Sequence, residues 1–140
     1  MNIIHVYTDG SCGMLPNSPH RNHMGIGIYC KYKNKEIKFS RYIGLGTNNI
    51  AELTAIKVAL QKLTKYKKRT IKIITDSKYC IGVLTGWKYK LNIELINETK
   101  ELIKLYPKLK FKWVKGHDGD YGNKTADYLA QAARKKLQNN

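Results

Sequence analysis

Four acidic side chains occupy positions where strands end or helices begin in the sequence. Asp9 follows an apolar run in "HVYTDGSC" and Asp76 follows another in "IKIITDS", whereas Glu52 in "TNNIAEL" and Asp127 in "GNKTAD" precede helical patterns. Carboxylate oxygens are hard ligands, and no Cys or His joins them at a zinc spacing, so Mg²⁺ or Mn²⁺ is the predicted metal. Two such ions about 4 Å apart can activate water and stabilise a departing oxygen, which is chemistry suited to a phosphodiester.

The first half of the chain predicts three strands and a helix. Alternating apolar and polar residues favour a first strand at 3–8, and the segments 25–33 and 35–43 predict a hairpin that turns around Asn34. Apolar residues then recur at helical spacing, which predicts a helix over 50–65.

The second half predicts two further strands that alternate with helices. The short apolar run "IKIIT" is typical of a strand buried on both faces. The predicted elements are a strand at 71–75, a helix from 77 to near Gly86, a helix at 92–106 stopped by Pro107, a strand at 109–114, a loop at 115–122 and a helix at 123–137.

This order of elements brings the four acids to one edge of a sheet. The third strand of a meander runs parallel to the first, so a helix must return before a parallel fourth strand can start. The first turn of that helix, with Glu52, then lies beside Asp9, and Asp76 leaves the fourth strand at the same edge. The exit of the fifth strand adds His117 and Asp127.

Each acid also has a purely structural interpretation. Asp9 with Gly10 suits a turn, Asp76 or Ser77 suits a helix cap, Asn49 with Glu52 resembles a capping box, and Asp127 suits an exposed surface. Clustered like charges are costly unless a cation neutralises them, and four such coincidences at one edge favour a metal site.

The charge of the chain predicts a polyanionic partner. Its 140 residues include 26 basic and 10 acidic side chains, giving a formal net charge of +16. Nucleic acid or an anionic membrane surface would fit. We expect one domain over 1–140, because the chain is too short for two sizeable cores. The start "MNIIHVYTDG" lacks signal-peptide features, and Cys12, Cys30 and Cys80 are too scattered for a disulfide framework. An intracellular protein, cytoplasmic or nuclear, with free thiols is therefore expected.

Five motifs in order resemble the type 1 ribonucleases H, which cut the RNA strand of RNA–DNA hybrids. They are "YTDGSC", "TNNIAEL", "TDSKY", "KGHDG" and "GNKTAD", and the similarity runs over about 4–135. The resemblance implies an α/β fold with a five-stranded mixed sheet in the order 3-2-1-4-5, helices on both faces and a monomeric enzyme. It further implies hydrolysis with two metal ions, Mg²⁺ or Mn²⁺, giving 5′-phosphate and 3′-hydroxyl ends.

The same resemblance assigns roles to individual residues. Asp9, Glu52, Asp76 and Asp127 would hold the ions, and His117 would assist proton movement or product release. Residues that would contact ribose 2′-hydroxyls, phosphates or the DNA strand are Ser11, Cys12, Asn17, Thr47, Asn48, Asn49, Lys78 and Trp87. Short polar side chains and helix starts suit these contacts. Capping is the alternative for the two asparagines, and a lid over the core is the alternative for Trp87.

The sequence departs from the family pattern after Trp87. Many relatives carry a basic helix and loop there, the handle, whereas "KYKLNIEL" runs almost directly into the next helix. A second hypothesis therefore stays open, a hybrid-binding module with weak activity that needs a partner. A related integrase or resolvase, which would share the core sheet, is a weaker alternative, and the glycine-histidine loop and "TNN" argue against it. Side chains that could compensate for the handle are Lys62, Lys65, Lys67, Lys68, Arg69, Lys88 and Lys90. A zinc site from His20, His23 and Cys12 is disfavoured by their spacing.

Overall fold

The computed structural model describes residues 2–15, 18–116 and 120–136. They form one mixed sheet of five strands in the order β3-β2-β1-β4-β5, which confirms the predicted fold class and strand order. The elements are β1 (Ile4–Leu15), β2 (Ser18–Tyr32), β3 (Lys35–Leu45), α1 (Asn48–Lys62), β4 (Ile71–Thr75), α2 (Lys78–Thr85), α3 (Ile93–Ile103), β5 (Leu109–Trp113) and α4 (Tyr121–Lys136). None of the helices in these residues is long and apolar enough to cross a membrane.

The first three strands form an antiparallel meander. The predicted hairpin is confirmed, and its turn at Lys33 and Asn34 places Lys33 at a φ of 56°. The predicted end of β1 at Thr8 is wrong. Pairing with β2 continues through Asp9 opposite Gly27 and reaches Met14 opposite Asn22. The polar and glycine residues after Thr8 therefore extend the strand because β2 supplies hydrogen-bonding partners.

The last two strands run parallel to β1. Val6 is aligned with Ile73 of β4, and Ile73 is aligned with Phe111 of β5. The carboxyl ends of β1 and β4 consequently meet at one edge of the sheet, as the connection argument predicts.

A helix layer covers each face of the sheet. Even-numbered residues of β1 and odd-numbered residues of β4 face α1, α2 and α3, and the fully buried members of this core include Val6, Ile26, Leu53, Ile56, Leu60, Ile71, Ile73 and Ile96. On the other face α4 packs on β1, β2 and β3. A Cβ at Gly27 would meet the carbonyl oxygen of Ala126, so the glycine permits a close approach that places the neighbouring Asp127 over β1.

Helix bounds differ from the predicted ones by a few residues. Helix α1 covers 48–62 rather than 50–65, because Thr47 caps it and a separate 3-10 turn follows at Thr64–Tyr66. Helix α2 ends at Thr85, and the predicted end near Gly86 is confirmed, since Gly86 is the C-cap with a φ of 156°. Helix α3 ends at Ile103, before the predicted 106. The amides of Leu105 and Tyr106 bond three residues back rather than four, and Pro107 disfavours helical backbone at Tyr106. Helix α4 starts at Tyr121, two residues early.

Candidate active site

Asp9 lies inside β1 and is buried, with 5% of its surface exposed. The turn interpretation of Asp9 and Gly10 is wrong, because both residues are paired within the sheet. A Cβ at Gly10 would collide with the backbone of Ala51 and Glu52, so this glycine lets the start of α1 approach β1. The amide of Gly10 donates to Asp9 Oδ1 at 3.0 Å and to Glu52 Oε1 at 2.5 Å. One backbone amide therefore holds two carboxylates.

Glu52 faces β1 from the beginning of α1 and is 9% exposed. The capping-box interpretation is wrong: Thr47 is the N-cap, and its hydroxyl accepts a hydrogen bond from the Ile50 amide at 3.2 Å. Thr47 adopts extended backbone, with φ −127° and ψ 167°, which suits this role. Glu52 is thereby left free to bind Gly10 instead of the helix start.

Asp76 follows β4 and is half-buried. It does not cap α2, because Ser77 does so by accepting from the Cys80 amide at 3.1 Å. The indole nitrogen of Trp113 donates to the carbonyl oxygen of Asp76 at 3.0 Å, which fixes the backbone at the strand exit. The carboxylate of Asp76 is left free to face the other acids.

The structure brings three of the four predicted acids into one cluster. Oxygen atoms of Asp9, Glu52 and Asp76 all lie within 4.8 Å of one another, which defines the acid cluster. Asp127 lies outside this limit but close to Asp9, within reach of a side-chain hydrogen bond. Its Oδ2 atom accepts from Gln131 Nε2 at 3.0 Å. Asp127 is half-buried on α4, so the interpretation as a freely exposed acid is wrong.

Burial and mutual repulsion raise the pKa values of the two inner carboxyls. Burial is the largest cause for Asp9, and the hydrogen bond and charge of Glu52 add to it, as does the charge of Asp76. The pKa of Glu52 is also raised, again chiefly by burial, while the hydrogen bonds from Asp9 and Gly10 oppose the shift. Three carboxylates at this spacing are hard oxygen donors and need a neutralising charge, so the donor set fits a divalent cation.

Five residues predicted to contact substrate lie in or next to the elements that carry Asp9 and Glu52: Ser11 and Cys12 in β1, and Thr47, Asn48 and Asn49 at the start of α1. Ser11 Oγ accepts from Arg134 Nε at 3.0 Å, and Cys12 Sγ donates to the carbonyl oxygen of Gly46 at 3.4 Å. Asn48 and Asn49 are exposed in the first turn of α1. Since Thr47 supplies the cap, neither asparagine is needed for capping, and both amides are available to a ligand.

Lys78 and Trp87 lie on the α2 side of the cluster. The ammonium group of Lys78 lies 4.3 Å from the centre of the Trp113 ring. Trp87 is 58% exposed and packs one face of its indole against Gly82, so it is not a lid over the core. Lys78 is linked to the cluster through Trp113, which binds the backbone of Asp76, whereas Trp87 lies beyond the other end of α2.

Some predictions fall on residues whose placement is not described. His117 and Asn17 lie outside the described ranges, and so does the side chain of His20. His23 is buried, and its Nδ1 atom forms a 2.8 Å hydrogen bond with the Tyr42 hydroxyl. The cysteines are free, as expected.

The sequence did not predict a role for two residues of the site, Trp113 and Arg134. Trp113 holds the Asp76 backbone and lies under Lys78, and its only signal was an aromatic residue at the end of "LKFKW". Arg134 reaches Ser11 and covers Gly13. Its spacing of seven residues from Asp127, two helical turns, puts both on one face of α4 and was the available signal.

Comparisons with known proteins identify the family of this chain. The family model described as RNase H matches residues 1–135. The ribonuclease HI of Shewanella oneidensis is 36% identical and the match covers 95% of this chain and 88% of that protein. The ribonuclease H of Ruthia magnifica is 35% identical, with 98% and 99% of the two chains covered.

Solved structures share the fold. The RNase H domain of a Mycobacterium tuberculosis protein superposes with a TM-score of 0.81 at 22% identity and covers 99% of this chain and 98% of its own. LC11-RNase H1, isolated from compost and solved in complex with RNA/DNA hybrid, gives a TM-score of 0.77 at 25% identity, with coverage of 96% and 99%. With the family model spanning nearly the whole chain and close relatives of full length, this chain belongs to the ribonuclease H family of endoribonuclease hydrolases.

Proposed function

We propose that this protein hydrolyses the RNA strand of RNA–DNA hybrids with two divalent metal ions, leaving 5′-phosphate and 3′-hydroxyl ends. The observation that carries the proposal is the acid cluster at the shared edge of β1 and β4, in a chain of this family. The complex of LC11-RNase H1 with hybrid supports the choice of substrate.

Asp9, Glu52, Asp76 and Asp127 are the proposed metal ligands. Bound Mg²⁺ or Mn²⁺ would polarise the attacking water and neutralise charge on the departing 3′ oxygen. The chain itself contributes rigid placement: the Gly10 amide orients Asp9 and Glu52, and the Trp113 indole fixes the backbone of Asp76. Preorganised ligands of this kind lose little entropy when the substrate arrives.

Residues around the cluster are proposed to select RNA. Ser11, Cys12, Thr47, Asn48 and Asn49 present short polar groups where a ribose 2′-hydroxyl, which both donates and accepts, distinguishes RNA from DNA. Lys78 and Trp87 offer a charge and an aromatic face to the strands. Asn17 is proposed as a further 2′-hydroxyl contact, and His117 as the group that assists proton movement or product release.

A cleavage assay with matched variants tests the proposal. The substrate is an RNA–DNA hybrid with a fluorescent label on the RNA, compared with duplex DNA of the same sequence, with Mg²⁺ and then with Mn²⁺. Wild-type protein should cut the hybrid and spare the DNA. Asp76→Asn and Glu52→Gln should lower the cleavage rate at least 100-fold, because each removes a charged ligand from the transition state.

Glu94→Gln is the matched control, since Glu94 is an exposed glutamate in the first turn of α3. It should retain the wild-type rate. An inactive wild-type protein, or full activity in Asp76→Asn, would reject the proposed mechanism.

A hybrid-binding module that turns over weakly alone is the second candidate. The observation in its favour is the short connection between α2 and α3, which leaves only residues 86–92 where many relatives carry the handle. Tight, salt-sensitive hybrid binding without turnover, restored by a basic partner, would favour this candidate.

A further inference from the structure

One face of the sheet carries basic side chains that the acid cluster does not use. The strand register aligns Lys31 of β2 with His5 of β1, His5 with Lys72 of β4, and Lys72 with Lys110 of β5. Aligned residues on neighbouring strands lie about 4.8 Å apart and point to the same face. We call Lys31, His5, Lys72 and Lys110 the basic row. Lys112, two residues beyond Lys110, extends the row along β5.

The β5 end of the basic row is open to solvent, whereas Lys72 is half-buried. The row lies on the face that α4 packs against, but α4 covers β1, β2 and β3, while Lys110 and Lys112 are exposed. Like charges side by side on adjacent strands oppose folding. Among the described residues, Glu36 lies opposite Lys31 and Asp120 lies near Tyr7, both at the near end of the row. The salt bridges among the described residues join Lys57 to Glu98 and Lys104 to Glu101, and neither includes a residue of the basic row.

A cavity of about 530 Å³ adjoins the near end of the basic row. Its lining includes His5, Lys31, Lys33 and one acid, Asp120, together with three tyrosines, Tyr7, Tyr29 and Tyr121. Tyr121 is 58% exposed and stands edge-on to Tyr29, with ring centres 5.6 Å apart. The buried hydroxyl of Tyr29 lies near the carboxylate of Glu36. A concave site with an exposed aromatic ring beside a track of cations has the features of a site for single-stranded nucleic acid.

We propose that the basic row and the tyrosine cavity form a second nucleic-acid site, which binds a single-stranded segment through its phosphates and stacks an unpaired base on Tyr121. A cavity of this size accommodates one nucleotide. The site lies on the same face of β1 as Asp9, four residues away, roughly 13 Å. A strand that overhangs a bound hybrid can therefore reach it. The proposal extends the proposed function without depending on the acid cluster.

Binding of a single strand to charge variants tests the site. The probe is a fluorescein-labelled 12-nucleotide oligo(dT), measured by anisotropy in EDTA over a series of KCl concentrations. Lys72→Gln/Lys110→Gln should raise Kd roughly tenfold near 0.1 M salt and flatten the salt slope by about 1.4, the value for two lost phosphate contacts on a single strand.

The matched control is Lys100→Gln/Lys104→Gln, which removes the same charge from the last turn and the C-cap of α3, on the other face of the sheet. Its Kd should stay within twofold of wild type. Equal weakening by both pairs would show that bulk charge alone drives binding and would overturn the proposal, as would an unchanged Kd in the Lys72/Lys110 pair. Binding of anionic vesicles instead of oligo(dT), lost in that pair, would also overturn it.

Two substitutions of Tyr121 test whether a base stacks on its ring. Tyr121→Ala should raise Kd for oligo(dT) about fivefold or more, whereas Tyr121→Phe, which keeps the ring, should bind like wild type. Thermal melts of each variant check folding. Cleavage of blunt hybrid should be retained by all these variants, so a negative result here is distinguishable from failure of the cleavage proposal. Equal Kd values for Tyr121→Ala and Tyr121→Phe would contradict base stacking.

Discussion

At the scale of single residues, the Gly10 amide explains how two buried carboxylates come to share one place. It donates to both Asp9 and Glu52, and the missing side chain is what lets α1 come close enough. The raised pKa values of Asp9 and Glu52 show that the folded chain tolerates these charges poorly by itself. A divalent ion would supply the missing compensation.

Gly10→Ala should destabilise the protein by about 1–3 kcal/mol, because the added methyl group meets backbone that cannot move aside cheaply. Urea unfolding measures this. Gly13→Ala is the control: its Cβ would meet only the end of the Arg134 side chain, at 2.9 Å from Nη1, so a loss under about 1 kcal/mol is expected. Similar losses at both positions would contradict the close approach of α1 at Gly10.

Trp113→Phe should slow hybrid cleavage roughly fivefold, the equivalent of one hydrogen bond of about 1 kcal/mol. The change removes the donor to the Asp76 carbonyl and keeps an aromatic ring under Lys78. Steady-state kinetics should place the loss in kcat, because the indole positions a metal ligand. A change confined to KM would assign Trp113 to substrate binding instead.

At the scale of elements, periodicity predicted every strand and helix, but the ends depended on contacts that a local pattern does not contain. The extension of β1 past Asp9 follows from pairing with β2, and the start of α1 follows from the Thr47 side chain. Asp9, Glu52 and Asp76 were predictable because strand connections force their elements to one edge. Trp113 and Arg134 act through tertiary contacts, which sequence spacing alone did not reveal.

The hydroxyl of Thr47 is expected to stabilise the start of α1, and substitution at this position tests that role. Thr47→Ala should lower the free energy of unfolding by about 1 kcal/mol, because the Ile50 amide loses its acceptor. Thr47→Ser keeps the hydroxyl and should be close to wild type. Urea unfolding of both variants measures the difference, and equal stability of the two would indicate that the hydroxyl does not hold the start of the helix.

At the scale of the whole molecule, an acidic pocket sits in a protein of net charge +16. The positive field attracts a polyanionic substrate, and the acid cluster attracts cations locally. Association with nucleic acid is expected to weaken as salt is added, because salt screens this positive field. Metal binding is expected to depend on pH, because the carboxyl groups of the acid cluster must lose their protons to bind a cation.

Mg²⁺ should stabilise the protein more at high pH than at low pH. The pKa values of Asp9 and Glu52 are higher in the folded chain than in the unfolded chain, so protonation of these two carboxyls favours folding. This stabilisation is fully present below about pH 4 and is lost as the pH rises through the pKa values of the folded protein. A bound cation replaces the lost protons. Differential scanning calorimetry should show an increase in Tm on adding Mg²⁺ of about 3 °C or more at pH 8 and a smaller one at pH 5. Equal increases at both pH values would contradict this linkage.

The most direct test of the central claim is anomalous diffraction from crystals soaked in Mn²⁺, collected for the wild type and for Glu52→Gln. Manganese density is expected among Asp9, Glu52 and Asp76 in the wild type, with its loss or strong reduction in the variant. Crystals with no manganese among these three carboxylates, or with equal density in both proteins, would contradict this claim.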